Sequence, residues 1–226
     1  MPQYELASIL VWLTKLTVPN SLSIWDFFFE SEYSPLSRLP AGELAGFCNG
    51  VTKERVRFDA VKEYTTYVST ALSRKYGLQP GETVALFSPN TIWYPVAMLG
   101  TIRAGGLISG ASPAYNVEEM TYALKTAQAK ILMTVPSSMA VAIPAAQNAG
   151  IPKERVILLE GEYNGHPTMK QLLDIGKSYG ADQLPSFKIP PGKTSREICA
   201  FLSFSSGTTG LPKAVCLPSS LLITPF

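Results

Sequence analysis

The feature that most constrains the fold is a regular alternation of short apolar stretches with helix-like stretches between residues 57 and 204. The apolar stretches predict strands at residues 83–87, 106–109, 130–135, 155–159 and 198–204. The intervening stretches predict helices at residues 59–76, 91–104, 117–127, 137–149 and 169–177. The strands are continuous apolar runs, which is typical of a parallel sheet covered by helices on both faces. The sequence therefore predicts an α/β fold with a doubly wound, parallel sheet.

A run of aromatic residues, 24–29, lies in the irregular segment that precedes this alternation. It predicts the start of a helix with Asp26 near its N-terminus, where a carboxylate is favoured. A ligand cage is the alternative interpretation, but packing in the core is the simpler one. For Trp93, Tyr94 and Tyr115 the alternative is a place beside a ligand channel, and packing in the core is again the simpler interpretation.

A polar loop follows the last predicted strand, at the edge of the sheet where doubly wound proteins bind ligands. Gly207 and Gly210 allow backbone conformations in which several amides point into one space. The loop adds closely spaced hydroxyls and one flexible cation, which suit phosphate oxygens. The candidate polyphosphate-binding residues are Ser205, Ser206, Gly207, Thr208, Thr209, Gly210 and Lys213. By composition alone, the alternative is a plain Ser/Thr/Gly hairpin turn.

Other classes of site find no support in the sequence. The P-loop spacing GxxxxGK[ST], the dinucleotide spacing GxGxxG and the hydrolase elbow GxSxG are all absent. The formal net charge is +2 and there is no long run of like charges, so nucleic-acid binding is not predicted. A single histidine, His166, excludes two-histidine metal motifs within this chain. It follows Asn164-Gly165, which predicts a surface turn.

The cysteines and the hydropathy pattern bear on the cellular compartment in which the protein is expected to reside. Cys48, Cys199 and Cys216 are odd in number, far apart and without CxxC spacing, so they predict unpaired thiols in a reducing compartment. Cys199 and Cys216 are expected to behave as small apolar residues. The apolar stretch at residues 7–13 is too short to span a bilayer and has no basic residue before it. We therefore expect no transmembrane segment and no secretion.

Residues 202–213 resemble the AMP-binding signature of the adenylate-forming superfamily, with an apolar start, Ser-Ser-Gly-Thr-Thr-Gly, and then x-Pro-Lys. Residues 78–85, 88–90, 100–115 and 119–134 are also similar to stretches of that family. Within it, the chain most resembles acyl-CoA synthetases of the 4-coumarate–CoA ligase type, with a fungal character suggestive of secondary metabolism. The resemblance covers residues 20–217.

The resemblance implies only the N-terminal part of the family's large domain. The predicted division is an irregular, aromatic-rich segment at 1–56, a partial AMP-binding domain at 57–217 and an off-pattern tail at 218–226. In that tail Ser219 stands where the family usually has a histidine. The family's C-terminal lid domain, with its catalytic lysine, is expected to be absent.

The resemblance also implies the chemistry. The family's substrates are a carboxylic acid, ATP with Mg²⁺ and coenzyme A, and the products are an acyl-CoA thioester, AMP and pyrophosphate. No complete catalytic set and no metal site of the protein's own is expected here, so the expectation is a truncated ligase, inactive or incomplete alone. The alternatives are a non-catalytic nucleotide- or partner-binding pseudo-enzyme, and a chain that pairs with a separately encoded C-terminal half. The implied location is cytoplasmic, or peroxisomal as in intact relatives.

Overall fold

The computed structural model describes residues 19–38, 46–205 and 212–223. A small antiparallel hairpin, β1 and β2, precedes a six-stranded sheet in the order β6-β5-β3-β4-β7-β8. The strands are β1 (Gly46–Cys48), β2 (Arg55–Arg57), β3 (Thr83–Phe87), β4 (Leu107–Ala111), β5 (Ala129–Thr134), β6 (Val156–Leu158), β7 (Cys199–Ser205) and β8 (Lys213–Pro218). The helices are α1 (Phe58–Arg74), α2 (Tyr94–Arg103), α3 (Val117–Thr126), α4 (Met139–Asn148), α5 (Met169–Ser178) and the short α6 (Ser220–Ile223).

Helices cover both faces of this sheet. In β3, Val84 and Leu86 belong to the apolar cluster formed with α1, α2 and α5. The alternate residues, Ala85 and Phe87, belong to the cluster formed with α3 and α4. Successive side chains of a strand point to opposite faces, so a strand that is buried on both sides is apolar along most of its length. The predicted doubly wound α/β fold is confirmed.

The helices of the first face approach each other closely through glycine. A Cβ atom added to Gly176 of α5 would lie 1.9 Å from the carbonyl oxygen of Tyr67 in α1. A second close contact joins α1 and α2, where a Cβ on Gly100 would lie 2.5 Å from a methyl carbon of Val68. Glycine at these two positions lets the three helices share one layer against the sheet.

The last strand differs from its neighbours in direction. The pairs β3–β4, β3–β5, β5–β6 and β4–β7 are parallel, whereas β8 runs antiparallel to β7. The prediction of a parallel sheet therefore holds for all but this edge strand. The physical reason is the length of the connection: residues 206–212 are too few for the crossover that a parallel neighbour requires.

His166 lies inside the protein, so the prediction of a surface histidine was wrong. Its exposed fraction is 8%, and its Nδ1 atom is 3.2 Å from the carbonyl oxygen of Val156. The turn that the sequence predicts is present, with positive φ at Asn164 and Gly165. This turn folds back against the start of β6, and the ring stacks obliquely beside Tyr163.

The aromatic run packs in the core, as predicted. A helical turn spans Asp26–Glu30, and the preceding Trp25 is 1% exposed. The rings of Trp25 and Phe29 stack with their centroids 4.3 Å apart. On its other side the indole meets the guanidinium of Arg103, whose central carbon is 5.3 Å from the ring centroid.

Lys188 joins this N-terminal turn to the loop that precedes β7. Its ammonium group donates hydrogen bonds to the carboxylates of Asp26, which is buried, and Glu30. Glu30 also accepts a hydrogen bond of 2.7 Å from the indole of Trp25. Burial by itself would raise the pKa of Glu30, but the hydrogen bonds from Lys188 and Trp25 and the charge of Lys188 outweigh it. Together they lower the pKa of Glu30 to about 2.

This shift predicts how stability depends on pH. Because the pKa of Glu30 is lower in the folded protein, its contribution is complete above the unfolded value of 4.5 and is lost as the pH falls towards about 2. We expect Glu30→Gln to lower the melting temperature near neutral pH, with a difference from the unsubstituted chain that shrinks below about pH 4.5. Glu32→Gln is the control, since Glu32 is exposed and makes no hydrogen bond to the described residues. A difference that stays constant down to about pH 3 would contradict this role of Glu30.

Candidate functional site

The candidate phosphate loop connects β7 to β8 at the edge of the sheet where the parallel strands end. Ser205 is the last residue of β7 and pairs with Lys213, the first residue of β8. Both residues are exposed. The other predicted loop residues, Ser206, Gly207, Thr208, Thr209 and Gly210, lie outside the described residues. Among the predicted site residues, the structure therefore places Ser205 and Lys213 side by side at the two ends of the loop.

The neighbouring strands end at the same edge. β3 ends at Phe87, β4 at Ala111 and β5 at Thr134, and the three run parallel in adjacent positions. The hydroxyl of Thr134 donates a hydrogen bond of 2.7 Å to the carbonyl oxygen of Phe87, which ties two of these ends together. Ser205, at which the candidate loop begins, lies at this same edge of the sheet.

A cavity of about 230 Å³ separates the exit of this loop from α3. It is lined by Tyr115, Glu118, Glu119, Tyr122, Ala123, Phe204 and Pro212. The hydroxyl of Tyr122 donates a hydrogen bond of 2.9 Å to the carbonyl oxygen of Pro212. Sequence reasoning missed Tyr122, because nothing in the sequence relates a tyrosine on a helix to a carbonyl 90 residues further along the chain.

The cavity is bounded on one side by the N-terminus of α3, which is held by a reciprocal cap. The side chain of Asn116 accepts a hydrogen bond from the backbone of Glu119, and the Glu119 carboxylate accepts one from the backbone of Asn116, both at 2.9 Å. This arrangement satisfies two amides that the start of a helix leaves free. The pattern Asn-x-x-Glu in the sequence was the available signal for it.

An apolar groove of about 280 Å³ lies beside the same hairpin. Its lining is Tyr94, Met98, Ile108, Gly110, Phe201, Leu202, Ser203, Leu217, Leu221 and Leu222. No charged side chain is among them, and the polar side-chain groups are the hydroxyls of Tyr94 and Ser203, so the groove suits a mainly apolar group. Burial raises the pKa of Tyr94, which keeps its hydroxyl protonated in this setting.

Two of the three cysteines are joined across the β7–β8 hairpin. Cys199 and Cys216 form a disulfide with their Cα atoms 5.8 Å apart, within the range that such bonds span. Cys48 is free and exposed. The prediction of unpaired thiols is therefore wrong for Cys199 and Cys216. The reason is the antiparallel return of β8, which brings two residues 17 positions apart onto neighbouring strands.

The described residues contain neither a metal-ligand cluster nor a membrane-spanning helix. In residues 19–38, 46–205 and 212–223, no group of three or more His, Cys, Asp or Glu side chains is placed to hold a metal ion. Within those same ranges no helix is both long enough and apolar enough to cross a bilayer. What the described site offers is one cation, Lys213, beside a serine hydroxyl at an open edge of the sheet. That chemistry suits an anionic ligand.

A family model described as AMP-binding enzyme matches residues 45–224. The match covers most of the chain, including the whole sheet and both ends of the candidate loop. The protein belongs to the AMP-binding enzyme family, and the resemblance seen in the sequence is confirmed.

Individual relatives are acid–CoA ligases by name. The chain is 37% identical over 147 residues to the acyl-CoA ligase azaF of Aspergillus niger, covering 63% of this chain and 27% of that protein. It is 28% identical over 213 residues to 4-coumarate–CoA ligase 1 of Petroselinum crispum, covering 94% of this chain and 36% of that protein. The chain thus spans about a quarter to a third of the length of these relatives.

The same fold is present in solved structures. A long-chain-fatty-acid–CoA ligase from Archaeoglobus fulgidus superposes with a TM-score of 0.73 at 24% identity, over 92% of this chain and 39% of that one. A benzoate–CoA ligase from Burkholderia xenovorans superposes with a TM-score of 0.67 at 20% identity, over 89% of this chain and 35% of that one. At these identities the likeness bears on the fold, and it supports the doubly wound α/β assignment.

The cysteine pairing can be checked directly. In protein purified without reductant, we expect a thiol reagent to label Cys48 alone, because the other two sulfur atoms are bonded to each other. Reduction in denaturant should raise the count to three thiols per chain. Cys48→Ser is the matched control and should leave no reactive thiol before reduction. Three thiols in the unreduced, denatured protein would contradict the pairing.

Proposed function

We propose that this chain forms the ATP phosphate-binding part of an AMP-forming acid–CoA ligase. The observation that carries the proposal is the pairing of Ser205 with Lys213 at the carboxyl edge of the sheet. It closes a loop with the composition of a polyphosphate site inside the region matched to AMP-binding enzymes. The names of the relatives supply the reaction class, an acid activated for transfer to coenzyme A.

The proposed reaction has two steps. A carboxylate oxygen of the acid attacks the α-phosphate of Mg-ATP, the bond to pyrophosphate breaks, and an acyl-adenylate forms. The thiol of coenzyme A then attacks the acyl carbon, a proton leaves the thiol, and AMP departs. The acid itself is the nucleophile in the first step, so no nucleophilic side chain is required of the protein.

The loop would act on the leaving pyrophosphate. Negative charge builds up there as the bond to the α-phosphate breaks, and preorganised donors stabilise it. Lys213 supplies the positive charge from the start of β8, where its backbone is held by pairing with Ser205. The hydroxyls of Ser205, Ser206, Thr208 and Thr209 would donate to phosphate oxygens, and Gly207 and Gly210 would let the backbone approach them.

We further propose that these 226 residues do not complete thioester formation alone. The support is the share of each relative that the matched residues cover, 27% of the Aspergillus relative and 36% of the Petroselinum relative. Phosphoryl chemistry depends on positioning by the whole site, so a part of it is expected to bind nucleotide without full turnover. A separately encoded C-terminal half would be a partner that restores it.

The first prediction concerns turnover. The chain should show no ATP–pyrophosphate exchange above a heat-denatured control with a panel of aryl and fatty acids, and no thioester with coenzyme A. The C-terminal portion of an acid–CoA ligase, added in trans, tests the proposed pairing. Robust exchange by the chain alone would contradict the proposed incompleteness. Nucleotide binding without exchange, even with the added portion, would favour a non-catalytic nucleotide-binding protein.

The second prediction concerns Lys213. A charge-assisted hydrogen bond contributes about 1.5–3 kcal/mol, so Lys213→Ala should weaken Mg-ATP binding by about ten- to a hundred-fold. AMP, which lacks the β- and γ-phosphates, should be affected much less. Lys130→Ala is the matched control, because Lys130 is an exposed lysine near the start of β5, at the opposite edge of the sheet. Equal affinities for Mg-ATP in Lys213→Ala and the control would contradict the phosphate role of Lys213.

A further inference from the structure

The exit of the phosphate loop, at Pro212, is held by a side chain of α3, a helix that packs on one face of the sheet. Tyr122 of α3 donates a hydrogen bond of 2.9 Å to the carbonyl oxygen of Pro212. Proline has no backbone N–H, so this carbonyl is the polar backbone group through which residue 212 can be held. The peptide bond that contains the carbonyl leads directly to Lys213.

The helix that carries Tyr122 is itself firmly placed. Its first turn is closed by the reciprocal cap between Asn116 and Glu119. Its inner side buries Met120 and Leu124, each no more than 1% exposed, in the cluster shared with α4 and the sheet. The backbone of Tyr122 is therefore fixed by the packing and capping of α3, and its side chain extends from that helix to the carbonyl of Pro212.

The hydrogen bond from Tyr122 to Pro212 lies next to the backbone of Lys213, the cation of the candidate site. Lys213 has a long side chain with several rotatable bonds, so the location of its ammonium group depends on the orientation of its backbone. One constraint on that backbone is the pairing with Ser205 across the hairpin. The second is the peptide plane between Pro212 and Lys213, which Tyr122 holds from outside the hairpin.

We propose that Tyr122 is a positioning residue for Lys213, because it fixes the direction in which the Lys213 side chain extends from the backbone of β8. This inference rests on the proposed phosphate role of Lys213. It adds a residue that lies outside the AMP-binding signature and touches no phosphate. Loss of the Tyr122 hydroxyl is expected to leave α3 and β8 in place but to free the peptide plane between Pro212 and Lys213.

The cavity between α3 and the loop supplies a matched control. Tyr115 lines the same space, is partly buried against the same cluster, and its hydroxyl makes no hydrogen bond to the described residues. Tyr115→Phe and Tyr122→Phe remove the same atom from the same cavity. A difference between the two variants therefore reports on the hydrogen bond and not on the loss of a hydroxyl group.

The first measurement needs no nucleotide. Amide hydrogen exchange followed over residues 212–218 reports on the local opening of the start of β8. In Tyr122→Phe we expect exchange there to be several-fold faster than in Tyr115→Phe and the unsubstituted chain, with α3 unchanged. Equal rates in the two variants would overturn the inference.

The second measurement separates positioning from general stability. Tyr122→Phe should weaken Mg-ATP binding by about two- to ten-fold, the range expected for one neutral hydrogen bond. AMP binding should stay within two-fold. In a Lys213→Ala background, Tyr122→Phe should have no further effect on Mg-ATP, because the group that it positions is gone. Additive losses in the double variant, or equal losses for ATP and AMP, would show a merely structural role.

The two measurements distinguish failure of the proposed phosphate role from failure of the proposed contact between Tyr122 and Pro212. If the unsubstituted chain does not bind Mg-ATP, the phosphate role of the loop is wrong, and the positioning role falls with it. The exchange rates would still decide whether Tyr122 holds the Pro212 carbonyl in solution.

Discussion

The parallel pairing of β7 with β4 is the contact on which the candidate site depends. It consists of the pairs Ile108–Phe201 and Ser109–Leu202, which join residues more than 90 positions apart in the chain. Among the described residues β8 pairs with β7 alone, so the whole hairpin, its disulfide and Lys213 are attached to the sheet through this one junction. The direction of β7 also brings Ser205 to the edge where β3, β4 and β5 end. Weakening this pairing would detach β7 and β8 from the rest of the sheet, and contacts outside the sheet, such as the hydrogen bond from Tyr122 to Pro212, would then have to hold the hairpin.

Much of the fold was predictable because burial on both faces leaves a clear trace in the sequence. Four of the five residues of β3 are apolar, and the polar one, Thr83, stands at its start, so the strand reads as a nearly continuous apolar run whose bounds were predicted correctly. Proline at position 95 was compatible with a helix because it falls in the first turn of α2. The predicted start of that helix was early, since the hydroxyl of Thr91 accepts a hydrogen bond from the backbone of Trp93 and residues 91–93 form a turn instead.

The features that sequence reasoning missed depend on which surfaces meet. The burial of His166 follows from a turn that folds onto Val156, and the bond between Cys199 and Cys216 follows from the direction of β8. That direction was within reach of the sequence, because a seven-residue connection excludes a parallel neighbour. The contact of Tyr122 with Pro212 was not, since it requires the relative placement of a helix and a hairpin that are 90 residues apart in the chain. Local pattern predicts elements, and long-range geometry decides which of their side chains become functional.

The contact of Lys188 with Asp26 has a consequence for the order in which the protein is made. The two residues are 162 positions apart, so the buried carboxylate of Asp26 is synthesised long before its partner. At typical rates of translation the delay is about 8 to 32 s, which is long compared with the folding of most small domains. Throughout that interval the carboxylates of Asp26 and Glu30 lack the ammonium group of Lys188, which they contact in the folded protein. The turn at Asp26–Glu30 therefore gains this contact late, although it leaves the ribosome well before the sheet is complete.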